Sequence, residues 1–196
     1  YQFNANLDAE YRLNPGTWLA GRLSGNLINN FDKFKYDAPS GLPRVRTDLR
    51  SYWTESDLTL PLLQLTHARR LGTELFGMVY GGYLESMFAG FGGELLHRPM
   101  NADWALGVDL NWVKQRDFDQ DFGLRNYDTV TGHLTGYYRG LDDVLAKLSV
   151  GRYLAGDYGA TLDLSREFHN GVRFGAWATV TDASDEEFGE GSFDKG

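Results

Sequence analysis

Six residues in the second half of the chain have side chains suited to a hydroxyl-rich ligand. Carboxylate, amide and cationic groups form hydrogen bonds with hydroxyls, and an indole offers a flat apolar surface. These candidate ligand-path residues are Asp109, Asn111, Lys147, Asp163, Arg173 and Trp177. All six have odd numbers and lie in segments where polar residues at odd positions alternate with apolar residues at even positions. Their side chains are therefore expected on one face of neighbouring strands, as a single polar patch.

No histidine or cysteine pattern indicates a catalytic or metal site. The chain has no cysteine, and its four histidines lie far apart, at His67, His97, His133 and His169. None has metal-ligand spacing to another histidine, so no metal and no other cofactor is predicted. His133 lies among threonines on a polar strand face. This context favours a lining role over a Ser–His catalytic pair of the phospholipase kind.

Glu85 and Glu94 raise a second catalytic alternative, because paired carboxylates can be the acid and base of a glycosidase. Lining residues or salt-bridge partners are favoured instead, the candidate partners being Arg69, Arg98 and Arg152. The two glutamates have opposite parity, so a regular strand cannot direct both to one face. A bulge among Gly90, Gly92 and Gly93 is predicted to restore the register.

The elements that must position these residues are amphipathic β-strands. In Trp104–Trp112 the even positions are apolar, and the odd positions are Ala, Gly, Asp and Asn. This alternation predicts a strand with one apolar and one polar face. Eight residues of rise cover about 26 Å, or about 20 Å along a membrane normal at a tilt near 40°. An apolar strip of that length with tryptophan at both ends is typical of a bilayer-crossing strand.

The alternation recurs through residues 3–13, 144–151, 161–165 and 172–181. Residues expected to point outward, exposed to lipid, are Leu106, Val108, Leu110, Val130, Leu134, Leu148, Leu162 and Phe174. Thr131 and His133 are expected on the opposite face with the polar patch, and Asp8, Glu10 and Arg12 on that face of the first strand. Charges there are expected to neutralise one another in a hydrated lumen. A soluble sandwich would instead bury the aliphatic side chains in a dry core.

Short and long connections alternate along the chain. Short turns, all at one end, are predicted at 14–16, 98–103, 139–143 and 169–171, the last containing Asn-Gly. Long loops are predicted at 28–45 and 114–126, on the cell exterior, because bacterial barrels place short turns in the periplasm. A strand is expected from near Arg46 to Leu65. Its part 58–65 is apolar on both faces and contains Pro61, which predicts a bent, covered strand.

Composition narrows the class of protein. A net charge of −8 over 196 residues argues against a nucleic-acid partner. Mean hydropathy of −0.42, without an apolar run of about 18 residues, excludes a helical membrane protein. A barrel conceals its membrane signal because half of each strand is polar. Residues 1–196 are expected to be part of one barrel domain, truncated at both ends, because the chain begins without a signal peptide and ends on a polar stretch.

Two long segments resemble a known family. Residues 81–99 and 151–196 are similar to the YjbH-type outer-membrane proteins of exopolysaccharide and group 4 capsule biosynthesis. Residues 104–138 show a weaker resemblance to the same family. The resemblance implies a longer, exported outer-membrane barrel that assists polysaccharide secretion and is not an established enzyme. The partners expected with it are outer-membrane lipid, exopolysaccharide and periplasmic proteins of the same secretion system.

The sequence thus predicts an all-β, antiparallel, up-and-down transmembrane barrel of roughly ten strands in a Gram-negative outer membrane. Its role would be non-enzymatic passage or handling of exopolysaccharide, without a cofactor. One alternative is a barrel-embedded hydrolase or acyltransferase acting on sugar or lipid. Another is a soluble carbohydrate-binding β-sandwich. For Trp177, stacking on a sugar ring and contact with a plug both stay open.

Overall fold

The computed structural model describes residues 1–33, 48–140, 143–183 and 193–195. They form one antiparallel sheet whose strands are neighbours in sequence order. The strands are β1 (Gln2–Asn14), β2 (Thr17–Asn29), β3 (Leu58–Arg70), β4 (Leu75–Tyr83), β5 (Phe88–His97), β6 (Trp104–Arg116), β7 (Leu124–Arg139), β8 (Val144–Arg152), β9 (Tyr158–Glu167), β10 (Arg173–Thr181) and β11 (Phe193–Lys195). A 3₁₀ turn (Phe31–Lys33) and helix α1 (Leu49–Thr54) precede β3.

The predicted all-β, antiparallel, sequential architecture is confirmed. Over the described ranges β1 and β11 are the two edges of the sheet, so its closure into a barrel stays a prediction. Among the described residues, no helix has the length and apolar character to span a membrane.

The four predicted short turns all lie at one end of the sheet, here called the turn end. They connect β1 to β2, β5 to β6, β7 to β8 and β9 to β10, and a fifth turn at 71–74 connects β3 to β4. Asn14 Oδ1 accepts a hydrogen bond from the Gly16 N–H at 3.0 Å in the first turn. Gly171 has φ +83° in the last turn, a conformation that glycine adopts without strain. Residues 141–142 lie outside the described part of the chain.

The loop end, opposite the turn end, differs from the prediction. The expected strand from Arg46 is wrong, because residues 49–54 form α1 and β3 covers 58–70. A side chain buried by tertiary contacts, Tyr52, holds this helix, and sequence periodicity carries no signal of such contacts. The loop expected at 114–126 is only 117–123, since β6 and β7 pair further than predicted. Of the loop expected at 28–45, residues 28–29 belong to β2, and 34–47 lie outside the described residues.

The bulge predicted in β5 is also wrong. β5 pairs with β4 and β6 without a register shift. Glu85 lies in the β4–β5 connection, so only Glu94 follows the parity of the strand. A shift occurs instead between β2 and β3, where Arg22 pairs with Leu62 and Ser24 with Thr59. Pro61, which has no N–H to donate, lies within this irregularity, in agreement with the expected bend.

The predicted outward residues share one exposed face of the sheet, here called the apolar face. Their exposed fractions run from 41% for Val130 to 74% for Phe174. The register confirms the common face, because Val108 pairs with Leu134 and Leu134 with Val150. Thr131 lies on the opposite, polar face and is buried. Over the described residues no second sheet covers the apolar face, whereas a sandwich requires one.

The best-buried part of the structure lies at the loop end and centres on Arg116, which is fully buried. Its guanidinium donates hydrogen bonds to four carbonyl oxygens, those of Pro61, Glu85, Gln120 and Asp121. It also lies 4.5 Å from the ring centroid of Tyr83. Burying a cation is unfavourable unless its donors find partners. Arg116 therefore connects β3, the β4–β5 connection and the β6–β7 connection in one unit.

Tyr52 attaches α1 to this unit. Its hydroxyl donates to the Arg116 carbonyl oxygen, and Gln120 Nε2 donates to the Tyr52 carbonyl oxygen at 2.6 Å. The ring packs in a small core with Met87, Phe88 and Val113. Burial is the largest cause that raises the pKa of Tyr52, from 10.0 to about 12. The folded state thus favours the neutral phenol.

We expect Arg116→Met to lower the free energy of unfolding by about 3 kcal/mol, because four carbonyl oxygens at the loop end lose their hydrogen bonds to the buried guanidinium. Denaturant titration of the full-length protein, followed by tryptophan fluorescence, measures this loss. The matched control is Arg125→Met, because Arg125 pairs with the half-exposed Asp117 at 3.5 Å and should contribute less than about 1 kcal/mol. Equal losses in the two variants would contradict the central role of Arg116.

Tyr52 also predicts a pH dependence. Its folded-state pKa is raised, so its contribution to stability is complete below pH 10 and is lost as the pH rises through about 12. Tyr52→Phe cannot ionise, and its stability should fall less steeply between these pH values. Unfolding titrations at a series of alkaline pH values compare the two slopes. The same slope in the variant and the wild type would show that Tyr52 does not cause the loss.

Candidate functional site

A pocket of about 380 Å³ lies on the polar face and spans strands from β4 to β9. The register brings its charged residues into two rows, which the row of Thr135, Ser149 and Thr161 separates. Glu94 pairs with Asp109, and Asp109 pairs with His133. Four residues further along β7 toward the turn end, Tyr137 pairs with Lys147, and Lys147 pairs with Asp163. The strand pairing of successive hairpins therefore collects side chains that are far apart in sequence.

A chain of hydrogen bonds fixes one side of the pocket. The Tyr80 hydroxyl donates to Asn111 Oδ1 at 2.5 Å, and Asn111 Nδ2 donates to Asp109 Oδ2 at 3.0 Å. The same Asp109 oxygen lies 3.3 Å from His133 Nδ1. The His133 ring is edge-on to Tyr153, with centroids 4.8 Å apart. This network links β4, β6 and β7 and holds the Asp109 carboxylate in one orientation.

His133 lines the pocket and has no serine partner among the described residues. Its Nε2 atom is enclosed and has no hydrogen-bond partner. A Ser–His pair needs a serine hydroxyl at that nitrogen. The nearby Ser149 hydroxyl bonds instead with Thr135 Oγ1 at 3.0 Å. The arrangement is that of the lining role predicted for His133.

Three charged groups in the pocket keep their polar atoms available. In the described part of the chain Glu94, Lys147 and Asp163 form no ion pair, although Lys147 and Asp163 are cross-strand neighbours. The salt bridges expected between Glu94 and an arginine are therefore not formed among these residues. The expected charge neutralisation does occur in β1 and β2, in the pairs Arg22–Asp8 at 2.6 Å and Arg12–Glu10 at 2.8 Å.

Five of the six candidate residues lie together. Asp109, Lys147 and Asp163 line the pocket, and Asn111 is bonded to Asp109. Trp177 pairs with Asp163 on the next strand and is 37% exposed. Arg173 lies apart, in a second depression of about 510 Å³ near the turn end, where it donates to Ser165 Oγ at 3.3 Å.

Three tyrosines of the pocket are absent from the sequence-based prediction: Tyr80, Tyr137 and Tyr153. Parity in β7 could have identified Tyr137, which alternates with His133 and Thr135 while Tyr138 lies on the apolar face. Tyr80 belongs to β4, whose alternation is obscured by glycines. Tyr153 follows the end of β8, and no periodic pattern points to it. Together with Trp177 they add flat aromatic surface to the charged groups.

Helix α1 covers the polar face at the loop end. Tyr52 packs edge-on against Phe118, with ring centroids 5.1 Å apart. Trp53 stacks on Phe31 at 5.9 Å. A smaller pocket of about 240 Å³ separates this helix from β1 and β2. In the described ranges no group of three or more His, Asp or Glu side chains is arranged to hold a metal ion.

The fold and the site define an antiparallel β-protein with an exposed apolar face and a polar face that carries a pocket and a covering helix. The chain belongs to the YjbH family, described as an exopolysaccharide biosynthesis protein, which matches residues 1–196. It is similar to the uncharacterized lipoprotein YjbH of Escherichia coli strain K12, with 46% identity over 204 residues. The match covers all of this chain and 29% of that relative, so the chain spans under a third of its length. No solved structure matches the chain.

Proposed function

We propose that the chain forms part of an outer-membrane β-barrel that takes part in exopolysaccharide secretion without covalent chemistry. The family description supports the link with exopolysaccharide production. The turn end would face the periplasm and the loop end the exterior. The partners would be outer-membrane lipid, the polymer and periplasmic proteins of the same secretion system.

The observation that carries this proposal is the apolar face. In β6, Trp104 and Leu110 are 47% and 64% exposed. In β1, Phe3 and Tyr11 are eight residues apart, like Trp104 and Trp112, and are 62% and 66% exposed. Continuous apolar surface of this extent is unfavourable in water and typical of an interaction surface. A bilayer solvates such a strip, and aromatic residues at its ends suit the two interfaces.

The strands also have the dimensions of a barrel wall. β1 to β10 contain between 9 and 16 residues, and a tilted strand needs about 9–11 to cross a bilayer. Successive hairpins are staggered toward the turn end. Thr17, the first residue of β2, pairs with His67 of β3. β3 continues three residues further toward the turn end, to Arg70. β6 likewise begins at Trp104, before Leu106 pairs with His97 at the end of β5. Tilted strands in a closed barrel require such a stagger.

The polar face would form the path of the polymer. Lys147, Asp163 and Glu94 would exchange hydrogen bonds with sugar hydroxyls, and Trp177 with the pocket tyrosines would contact sugar rings. Each contact contributes little, so a chain can be held without being trapped. The helix α1 would narrow this path at the loop end.

We expect Val108→Arg and Leu148→Arg each to lower the stability of the membrane-inserted protein by about 2–4 kcal/mol if the site lies near the bilayer midplane. A guanidinium on the lipid side has no water to solvate it. Unfolding from lipid vesicles measures the loss. The control Trp177→Arg places the same charge on the polar face and should cost less. Unchanged stability of both test variants would count against lipid-facing sites.

We expect the double variant Asp163→Asn with Trp177→Ala to lower secreted polysaccharide by about fivefold or more, the factor that about 1 kcal/mol of lost contact supplies. Secreted polymer is measured from cells with equal amounts of the protein in the outer membrane. The control is Phe174→Ala, which removes an aromatic ring from the apolar face of the same strand. Wild-type secretion by the double variant would leave the polar face as a structural lining only.

A further inference from the structure

A groove of about 400 Å³ crosses the apolar face near the turn end, between β3 and β6. Gly77 and Gly93 leave its floor without side chains, and Leu71, Val79 and Leu95 are among its walls. A methyl group at Gly77 would lie 2.8 Å from Leu71 Cδ1, so the Leu71 side chain would have to shift to admit it. The volume falls in the range of small-molecule sites.

A cation lies at the edge of this groove. Arg69 pairs with Gly77, which pairs with Leu95, so its side chain belongs to the apolar face. It is exposed and forms no hydrogen bond or ion pair with any residue in the described part of the chain. Its neighbour Arg70 donates to the carbonyl oxygens of Gly72 and Thr73 and so stabilises the turn. Arg69 is therefore available to an external anion.

We propose that the groove binds one acyl chain of an anionic phospholipid whose phosphate pairs with Arg69. The apolar walls suit a hydrocarbon chain, and the guanidinium complements a phosphate in charge and geometry. Arg69 is the penultimate residue of β3, at the turn end, where the headgroups of a periplasmic leaflet would lie. This inference rests on the proposed function, because it requires the apolar face to be in a membrane.

The chain offers a matched control for the arginine. Arg166 also belongs to the apolar face near the turn end and pairs with Val144 and Phe174. Its guanidinium lies 4.8 Å from the ring centroid of Phe168. Its cross-strand neighbours carry side chains, unlike Gly77 beside Arg69. A general attraction of arginine for anionic membranes would involve both residues, whereas the groove involves Arg69 alone.

Native mass spectrometry of the full-length protein in detergent tests the site. The probes are phosphatidylglycerol and phosphatidylethanolamine with identical acyl chains. We expect one phosphatidylglycerol to bind more tightly than phosphatidylethanolamine. Arg69→Gln should weaken phosphatidylglycerol binding about tenfold, and Arg166→Gln should not change it. Val79→Phe should fill the groove and weaken both lipids, and Arg69→Lys should keep the preference for the anionic lipid.

The outcomes separate this site from the proposed barrel. If Arg69→Gln binds phosphatidylglycerol like the wild type, or if Arg166→Gln loses as much affinity, the groove site is overturned and the barrel is unaffected. If the full-length protein stays soluble without detergent and does not associate with vesicles of either lipid, the barrel and the groove site fail together. Circular dichroism of each variant confirms that it has folded.

Discussion

Continuous antiparallel pairing is the constraint on which the rest of the structure depends. From β3 to β6 and again from β7 to β10 the ladders run without a register shift, so each side chain is assigned to one of two faces. A slip of one residue would move every apolar side chain of a strand to the polar face. The apolar strip and the polar pocket are consequences of the same pairing. Val108 is exposed on the apolar face and its neighbour Asp109 lines the pocket on the polar face, because successive side chains of a strand point to opposite faces.

The ladder needs a different form of stabilisation at the loop end. There the carbonyl groups of the connections 84–87 and 117–123 lie outside the strand ladders. The Arg116 guanidinium supplies donors to these groups, and Tyr52 and Gln120 attach α1 to the same unit. This arrangement buries a short helix against the polar face instead of extending the sheet. The loop end is consequently covered, while the middle of the polar face keeps its pocket.

The sequence predicted those features that depend on local periodicity. Alternation in Trp104–Trp112 predicted both the strand and its faces, and Asn-Gly at 170–171 predicted a hairpin. The features it missed depend on tertiary contacts. Helix α1 is stabilised by the distant Arg116 carbonyl group. Pro61 indicated the bend in β3, but the register shift that accompanies it depends on pairing with β2. Parity placed Arg173 on the correct face, but only the register showed that it lies in a depression separate from Asp163.

We propose that even-numbered residues of β6 face lipid and that odd-numbered residues of β6 face the path of the polymer. This chain has no cysteine, so single-cysteine substitutions from 105 to 111 in β6 can carry a spin label without a competing thiol here. Electron paramagnetic resonance on the reconstituted full-length protein then compares collisions with lipid-dissolved oxygen and with a water-soluble relaxation agent. We expect labels at even positions to collide mainly with oxygen and labels at odd positions to collide mainly with the aqueous agent. Labels at even positions that are shielded from both agents would show an apolar face buried in protein, which contradicts the account.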